Sequence, residues 1–347
     1  MPRLPPSLLT TVARESPLLS LLLKECRTLE SARNELRWLR ERVLRDGPAP
    51  GWATRLRSMC RARSRGLPLQ YILGDQPFGD LDILCRRGVL IPRPETEAYT
   101  FQAAKLIRRA IETSGTKSLS VLDLCTGTGC IALLLHALLA PHIEQLRVIG
   151  IDISPAALQL ARRNLTHNLE RGSLTDRASA DVQFHLADVL RDDKHDIPTV
   201  EAVLFDQGLP ACDLLVSNPP YVSPSDFRDG TTARSVRHFE PKLALVPPSL
   251  HGQVSDLGQE DVFYSRIITL SRKLRPRITV LECGDLMQAR RAAAIHESVT
   301  AEVSEDFSVE VWPSGQRDLE ENGFHAHDGS RCVIIQRRDK DLCRQPD

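Results

Sequence analysis

The chain has 347 residues, 41% hydrophobic and 26% charged, an ordinary globular composition that argues against a disordered chain. Its 45 basic and 45 acidic side chains cancel, so no overall field argues for a nucleic-acid or membrane partner. Nine scattered cysteines without a CxxC pair read as reduced thiols of a mitochondrial, cytosolic or nuclear compartment, not as a disulfide framework or a zinc site.

The charge is unevenly placed. Residues 1–66 carry 14 Lys/Arg against 6 acids, a net of +8, which leaves −8 on the remainder. A basic head on an acidic body suits an RNA-rich partner or simply a solvated arginine-rich helical surface. The first 14 residues, MPRLPPSLLTTVAR, hold two arginines, hydroxyl residues and no acid, as in a short mitochondrial presequence. Residues 1–15 are therefore expected to be a targeting segment, and a chain without one would be cytoplasmic. Three prolines there oppose an amphipathic helix. The apolar run in SPLLSLLLKE is too short to cross a bilayer.

Leu18, Leu21, Leu22, Leu29, Leu36, Leu39 and Val43 recur at helical spacing over 16–46, with a break near Cys26. RDGPAPG stops that stretch, and a second helix is expected over 51–65. Residues 16–75 thus read as a small helical domain. PFGDLDILCRRGVLIP (77–92) alternates apolar residues over two runs joined by Arg-Arg-Gly, which predicts a linking β-hairpin over 76–92. RPETEAYTFQAAKLIRRAIE then opens an amphipathic helix and a domain running over 93–340.

From residue 119 strands and helices alternate, the pattern of an open, mainly parallel α/β sheet. Strands are expected at 118–125, 146–153, 182–188, 212–219, 278–284 and 331–338, and helices at 130–140, 155–170 and 260–273. Residues 191–211 and the polar stretch 313–329 read as surface insertions. His325-Ala-His327, in the second, lacks a thiolate or carboxylate cluster and reads as an exposed loop; no metal site is expected.

VLDLCTGTGCIALLL places Cys125-Thr126-Gly127-Thr128-Gly129 between a buried strand and an apolar helix. Glycines let the backbone turn tightly beside a ligand, and the helix behind offers free N–H groups. The dinucleotide fingerprint would need a third glycine where Ala132 stands, and the Gly-Lys-Ser/Thr of a P-loop is absent. Asp152 ends the second strand, where a carboxylate can accept both ribose hydroxyls of an adenosine, and Ser154-Pro155 starts the next helix. Asp188 ends the third strand where an adenine would pass. Three features at successive strand ends point to an adenosyl ligand, with S-adenosylmethionine favoured over NAD or ATP.

The fourth strand ends in VSNPPYV. Pro219 and Pro220 have no N–H, so the carbonyls of Ser217, Asn218 and Pro219 can turn outward as acceptors beside the Asn218 side chain. Such acceptors would hold a planar –NH₂ group next to a methyl sulfonium, with Tyr221 packed near it. Asn-Pro-Pro-Tyr alone would be a rigid surface turn. Two rivals remain open from the residues: an adenine-amine methyltransferase of DNA or RNA, and a non-catalytic scaffold. The first would need a basic, aromatic-rich mouth that this acidic body does not advertise. The second would fit the loss of Asn218 or Asp152, and both are present.

With these motifs in place the chain resembles the HemK-type release-factor glutamine N5-methyltransferases. LPLQYILGDQPFGDLDILCRRGVLIPRPETE, DLCTGTGCIAL, GIDISPAAL, SNPPYV, RHFEPKLALV and LECG follow in the family's order from about residue 30 onward. The resemblance implies a Rossmann-like class I methyltransferase with a helical head that docks a class-1 release factor, acting as a monomer with no direct nucleic-acid or membrane partner. It implies contacts to S-adenosylmethionine from Thr126, Gly127, Thr128, Gly129, Asp152 and Asn218, with Cys125, Asp188 and Val189 completing that site. It places the target glutamine on Asn218–Tyr221. Two positions depart from the family pattern: Cys125 stands where glycine is usual, and Val189 where an aromatic is commoner. Arg93, Pro94, Glu95 and Glu97 frame the mouth of the site or else form an interdomain salt bridge and helix cap.

Overall fold

The structure, a computed structural model, describes residues 4–45, 47, 50–191, 196–249, 257–301, 306–313, 329 and 331–338. Helices α1 (Pro6–Glu15), α2 (Pro17–Cys26), α3 (Leu29–Arg45), α4 (Trp52–Arg63) and α5 (Leu69–Leu73) form the head. They share one apolar core, built from Val12, Leu19, Leu22, Leu23, Leu36, Leu39, Leu56 and their neighbours. The expected break falls at Arg27, whose left-handed backbone (φ 66°) ends α2. Arg63 forks onto Glu35 at 2.8 and 3.0 Å, pairing two charges that the head half-encloses. Residues 6–15, read from composition as targeting sequence, are helical here, with Val12 fully buried in that core.

The hairpin is shorter than expected. Its strands are β1 (Asp75–Phe78) and β2 (Leu81–Leu84), so the turn lies at Gly79-Asp80. Arg87-Gly88 turns the chain after the second strand, and residues 88–92 continue without strand pairing. Alternating apolar residues fit either register, and each turn has a glycine at positive φ. Gly79 sits where a Cβ would lie 2.7 Å from Leu134, which ties this turn to the helix behind.

The remaining elements are α6 (Pro94–Ser114), β3 (Ser118–Leu124), α7 (Cys130–Leu139), β4 (Gln145–Asp152), α8 (Pro155–Glu170), α9 (Ala178–Asp181), β5 (Val182–Leu186), α10 (Val200–Asp206), β6 (Leu214–Ser217), α11 (Pro224–Asp229), α12 (Arg234–Phe239), α13 (Val262–Leu274), β7 (Ile278–Cys283), α14 (Leu286–Thr300), β8 (Asp306–Trp312) and β9 (Arg331–Arg338). Seven strands form one sheet in the order β5-β4-β3-β6-β7-β9-β8. The first five are parallel, and β9 runs antiparallel to β7 and β8. Alternate residues of each strand enter opposite layers: Val121 and Val148 face α6, α7 and α8, while Leu122 and Ile149 face α10, α13 and α14.

This is the open α/β sheet the sequence predicts, with further elements the pattern did not reveal, among them β8, α14 and α10. β8 has half-exposed residues and a polar first half, as an edge strand does. α14 is polar on most faces and buries chiefly Ala289, Ala292 and Ile295. Within the stretch read as the 191–211 insertion, α10 covers the sheet as an ordinary crossover helix. Residues 192–195 and most of 313–329, including His325 and His327, lie outside the described residues. No helix among the described residues is long and apolar enough to cross a membrane.

A two-stranded hairpin has open edges, and α8 closes one of them with side chains. Asn164 Oδ1 accepts from Leu84 N at 2.8 Å, and Asn168 Oδ1 accepts from Asp82 N at 3.0 Å. Asn168 Nδ2 donates to Asp82 O at 3.0 Å, so two amides four residues apart imitate a paired strand. Asn164 Nδ2 also donates to Thr128 O at 2.9 Å, joining the hairpin to the glycine turn after β3. Asn164→Ala is expected to lower the unfolding free energy by roughly 1–3 kcal/mol for each buried group it orphans, read from urea denaturation midpoints.

Candidate active site

Parallel pairing brings three chain exits to one edge of the sheet. Leu124 is level with Ile151 on one side and Ser217 on the other, so Cys125, Asp152 and Asn218 leave the sheet together. Beside them lies a cavity of about 410 Å³, within the range of small-molecule sites. Cys125, Thr126, Gly127, Thr128, Asp152, Asp188, Val189, Asn218 and Pro220 line it, so most of the residues singled out in the sequence meet here. Gly129, Pro219 and Tyr221 do not.

The turn after β3 is held from below. Thr126 N donates to Ile151 O at 2.9 Å, and Thr126 Oγ1 to Asp123 Oδ2 at 2.6 Å. Burial pushes the Asp123 carboxyl up to about 7. Cys125 has a left-handed backbone, φ 61°, which explains why glycine suits this position. Burial raises its thiol well above the ordinary range, so at neutral pH it is a protonated, unreactive group. Gly129 caps the start of α7 at φ 79°, and a Cβ added there would lie 3.0 Å from both Ala161 and Phe184, so this position faces the packing behind the cavity wall.

Asp152 is fixed by two backbone donors. Gly127 N reaches its Oδ2 and Ser154 N its Oδ1, both at 2.8 Å. Burial still holds its carboxyl above the usual range. Ser154 Oγ accepts from Ala157 N and caps α8, with Pro155 at its first position, as the sequence indicated. Asp188 lies two residues past the end of β5, its Oδ1 accepting from Leu190 N and its carboxylate 3.3 Å from Arg191. Val189 is almost wholly buried, with Val200 and Phe263 in the same apolar cluster, and reaches the cavity over an aliphatic surface.

The Asn-Pro-Pro-Tyr turn is wired into the protein behind it. Asn218 Nδ2 donates to Thr96 Oγ1 at 3.2 Å, and Thr96 Oγ1 donates to Glu282 Oε2 at 2.6 Å. Tyr221 donates its hydroxyl to Glu282 Oε1 at 3.2 Å. Gln288 Nε2 donates to Tyr221 O at 3.1 Å. Arg93 pairs with Glu240 at 2.7 Å, and Ile91 N donates to the same carboxylate, so Arg93 is an ion-pair partner. Thr96, Glu240 and Glu282 were not singled out individually in the sequence, although RPETE, RHFEPKLALV and LECG contain them.

Gly150, under the turn, tolerates nothing larger. An added Cβ would lie 2.6 Å from the Phe184 ring and 2.8 Å from Thr126 Oγ1. Gly150→Ala is expected to cost roughly 1–3 kcal/mol of stability by overpacking, seen as a lower denaturation midpoint.

Comparison with known proteins identifies the family. Residues 115–217 match the family model described as "Methyltransferase domain". The chain is 37% identical, over 71% of its length and 68% of the relative's, to "Mitochondrial MRF1 N(5)-glutamine methyltransferase MTQ1" of Saccharomyces cerevisiae. It is 31% identical, over 98% of its length and 99% of the relative's, to "Probable MRF1 mitochondrial N(5)-glutamine methyltransferase mtq1" of Schizosaccharomyces pombe. A bacterial "Release factor glutamine methyltransferase" of Chlorobaculum tepidum is 36% identical over 56% of this chain and 57% of its own. The resemblance read from the motifs therefore holds along the chain, which belongs to the release factor N(5)-glutamine methyltransferase family.

Proposed function

We propose that the chain transfers a methyl group from S-adenosylmethionine to the side-chain amide nitrogen of the glutamine in the Gly-Gly-Gln loop of a class-1 translation release factor. The observation that carries this reading is Asn218 on the wall of a nucleoside-sized cavity that also holds Asp152 and the glycine turn. The relatives' names put such factors in mitochondria, and the acid-free first 14 residues fit that compartment. The enzyme acts as a monomer whose basic helical head docks the factor.

The cavity fits the cofactor in size and in polarity. Asp152, fixed by two backbone N–H groups at the cavity wall, would accept ribose hydroxyls, and Asp188 and Val189, which also line the cavity, would lie against the base. When bound, S-adenosylmethionine supplies a methyl group on a sulfonium leaving group. An amide nitrogen is a poor nucleophile because its lone pair is delocalised into the carbonyl. Asn218 Oδ1 and a carbonyl of the proline-stiffened turn accept its two protons, which aims the lone pair and stabilises positive charge as it develops. The methylated nitrogen would give up one proton to solvent, and the sulfonium would leave as a neutral thioether.

Labelled S-adenosylmethionine should mark a release factor, leave its Gln→Ala loop variant unmarked, and leave an oligonucleotide unmarked. Label on the oligonucleotide would instead favour an adenine-amine methyltransferase. Asp152→Ala is expected to raise the cofactor dissociation constant roughly 10- to 100-fold, as for loss of charged hydrogen bonds. Asn218→Ala should abolish transfer and leave cofactor affinity nearly intact, measured by calorimetry beside turnover.

A further inference from the structure

Behind Asn218 lies a chain of hydrogen bonds whose direction is fixed at its buried end. Glu282, on β7 and almost wholly buried, receives Thr96 Oγ1 at 2.6 Å and Tyr221 OH at 3.2 Å on separate oxygens. An ionised carboxylate can only accept. The single hydroxyl proton of Thr96 therefore points to Glu282, and Thr96 Oγ1 has only acceptor capacity left for Asn218. Asn218 meets it with Nδ2, at 3.2 Å. No hydrogen bond from the described residues reaches Asn218 Oδ1. Thr96 and Asn218 both line the cavity, while Glu282 does not.

We propose that Thr96 and Glu282 are positioning residues that set which way the Asn218 amide faces, so that its oxygen rather than its nitrogen is presented to the acceptor glutamine. This deepens, and rests on, the glutamine-methylation reading. With the opposite orientation Asn218 would offer a donor to the glutamine –NH₂, and two donors cannot pair. The ionised form of Glu282 sustains the productive direction. A proton on Oε2 would let Glu282 donate to Thr96, free the threonine proton to point at Asn218, and invert the amide.

Burial pushes the Glu282 carboxyl up to about 7, so that inversion falls within an accessible pH range. The groups facing Glu282 come from every surrounding element. Arg93, Glu95, Thr96 and Tyr99 belong to α6 and its start, Tyr221 to the turn and Tyr264 to α13. Cys130, Cys283 and Cys332 complete the set. Hydrogen bonds from Thr96 and Tyr221 and the charge of Arg93 oppose the rise, and Glu95 adds to it.

The test uses the full chain, saturating S-adenosylmethionine and a release factor as acceptor. Thr96→Val, which keeps the volume and removes the hydroxyl, should lower kcat/KM for the release factor roughly 10- to 100-fold with cofactor affinity unchanged. Thr96→Ser should restore most of it. Wild-type kcat should fall as pH drops through about 7, and Glu282→Gln, which cannot titrate, should lack that limb. The proposal is overturned by a Thr96→Val enzyme as active as wild type, or by a Glu282→Gln enzyme that keeps the acidic limb. If melting shows Thr96→Val unfolded, the Glu282→Gln profile decides. A wild-type enzyme that labels no release factor strikes the function itself; an active wild type beside an equally active Thr96→Val strikes only the positioning role.

Discussion

Parallel registration of β3 with its two neighbours is the constraint on which the site depends. The ladder places Leu124, Ile151 and Ser217 at one level, and each strand ends within a residue of it. Two further bonds carry this alignment past the strands: Thr126 N to Ile151 O, and Ser217 Oγ to Leu124 O at 2.8 Å. A shift of one residue in either pairing would turn an Asp or Asn side chain to the other face of the sheet. The cavity exists because three separate chain segments stop together at the carboxyl edge, where open α/β sheets bind ligands.

The head is tied to that edge through the hairpin rather than through a broad apolar interface. Arg42 and Arg45 of α3 pair with Asp75 on β1, and Tyr71 OH donates to Val89 O at 2.7 Å. On its other side the hairpin is bound by the asparagine pair of α8, and Asn164 touches the glycine turn as well. Residues 88–92, which follow the hairpin, form part of the cavity wall. The segment joining head to catalytic domain is thus itself part of the site, which suits an enzyme that must bring a protein side chain to a small-molecule pocket.

Much of this was legible in the linear chain. VLDLCTGTG, Asp152 and SNPPYV sit at the ends of strongly apolar runs, and their residue types narrow the chemistry without reference to neighbours. Cys125 as a glycine substitute makes sense once its positive φ is known. The polar support was harder to read. Thr96 is 122 residues from Asn218 and 186 from Glu282, and no local pattern links them. Tyr221 stood out because it is aromatic and follows the prolines, while the bond from its hydroxyl to Glu282 has no local signal. β8 and α14 escaped because an edge strand and an alanine-lined helix bury too little to imprint a clear period.

By itself the amino-acid order determined the fold class, the order of the motifs and the chemical character of the cavity, since these depend on local periodicity and on which residues turn tightly or accept hydrogen bonds. Only the tertiary structure decided where the hairpin turns, which side chains stand behind Asn218, and that a buried glutamate terminates their hydrogen bonds. Those choices rest on contacts between segments 61 to 186 residues apart. Their geometry is set by sheet registration and burial, neither of which is encoded in any single stretch of chain.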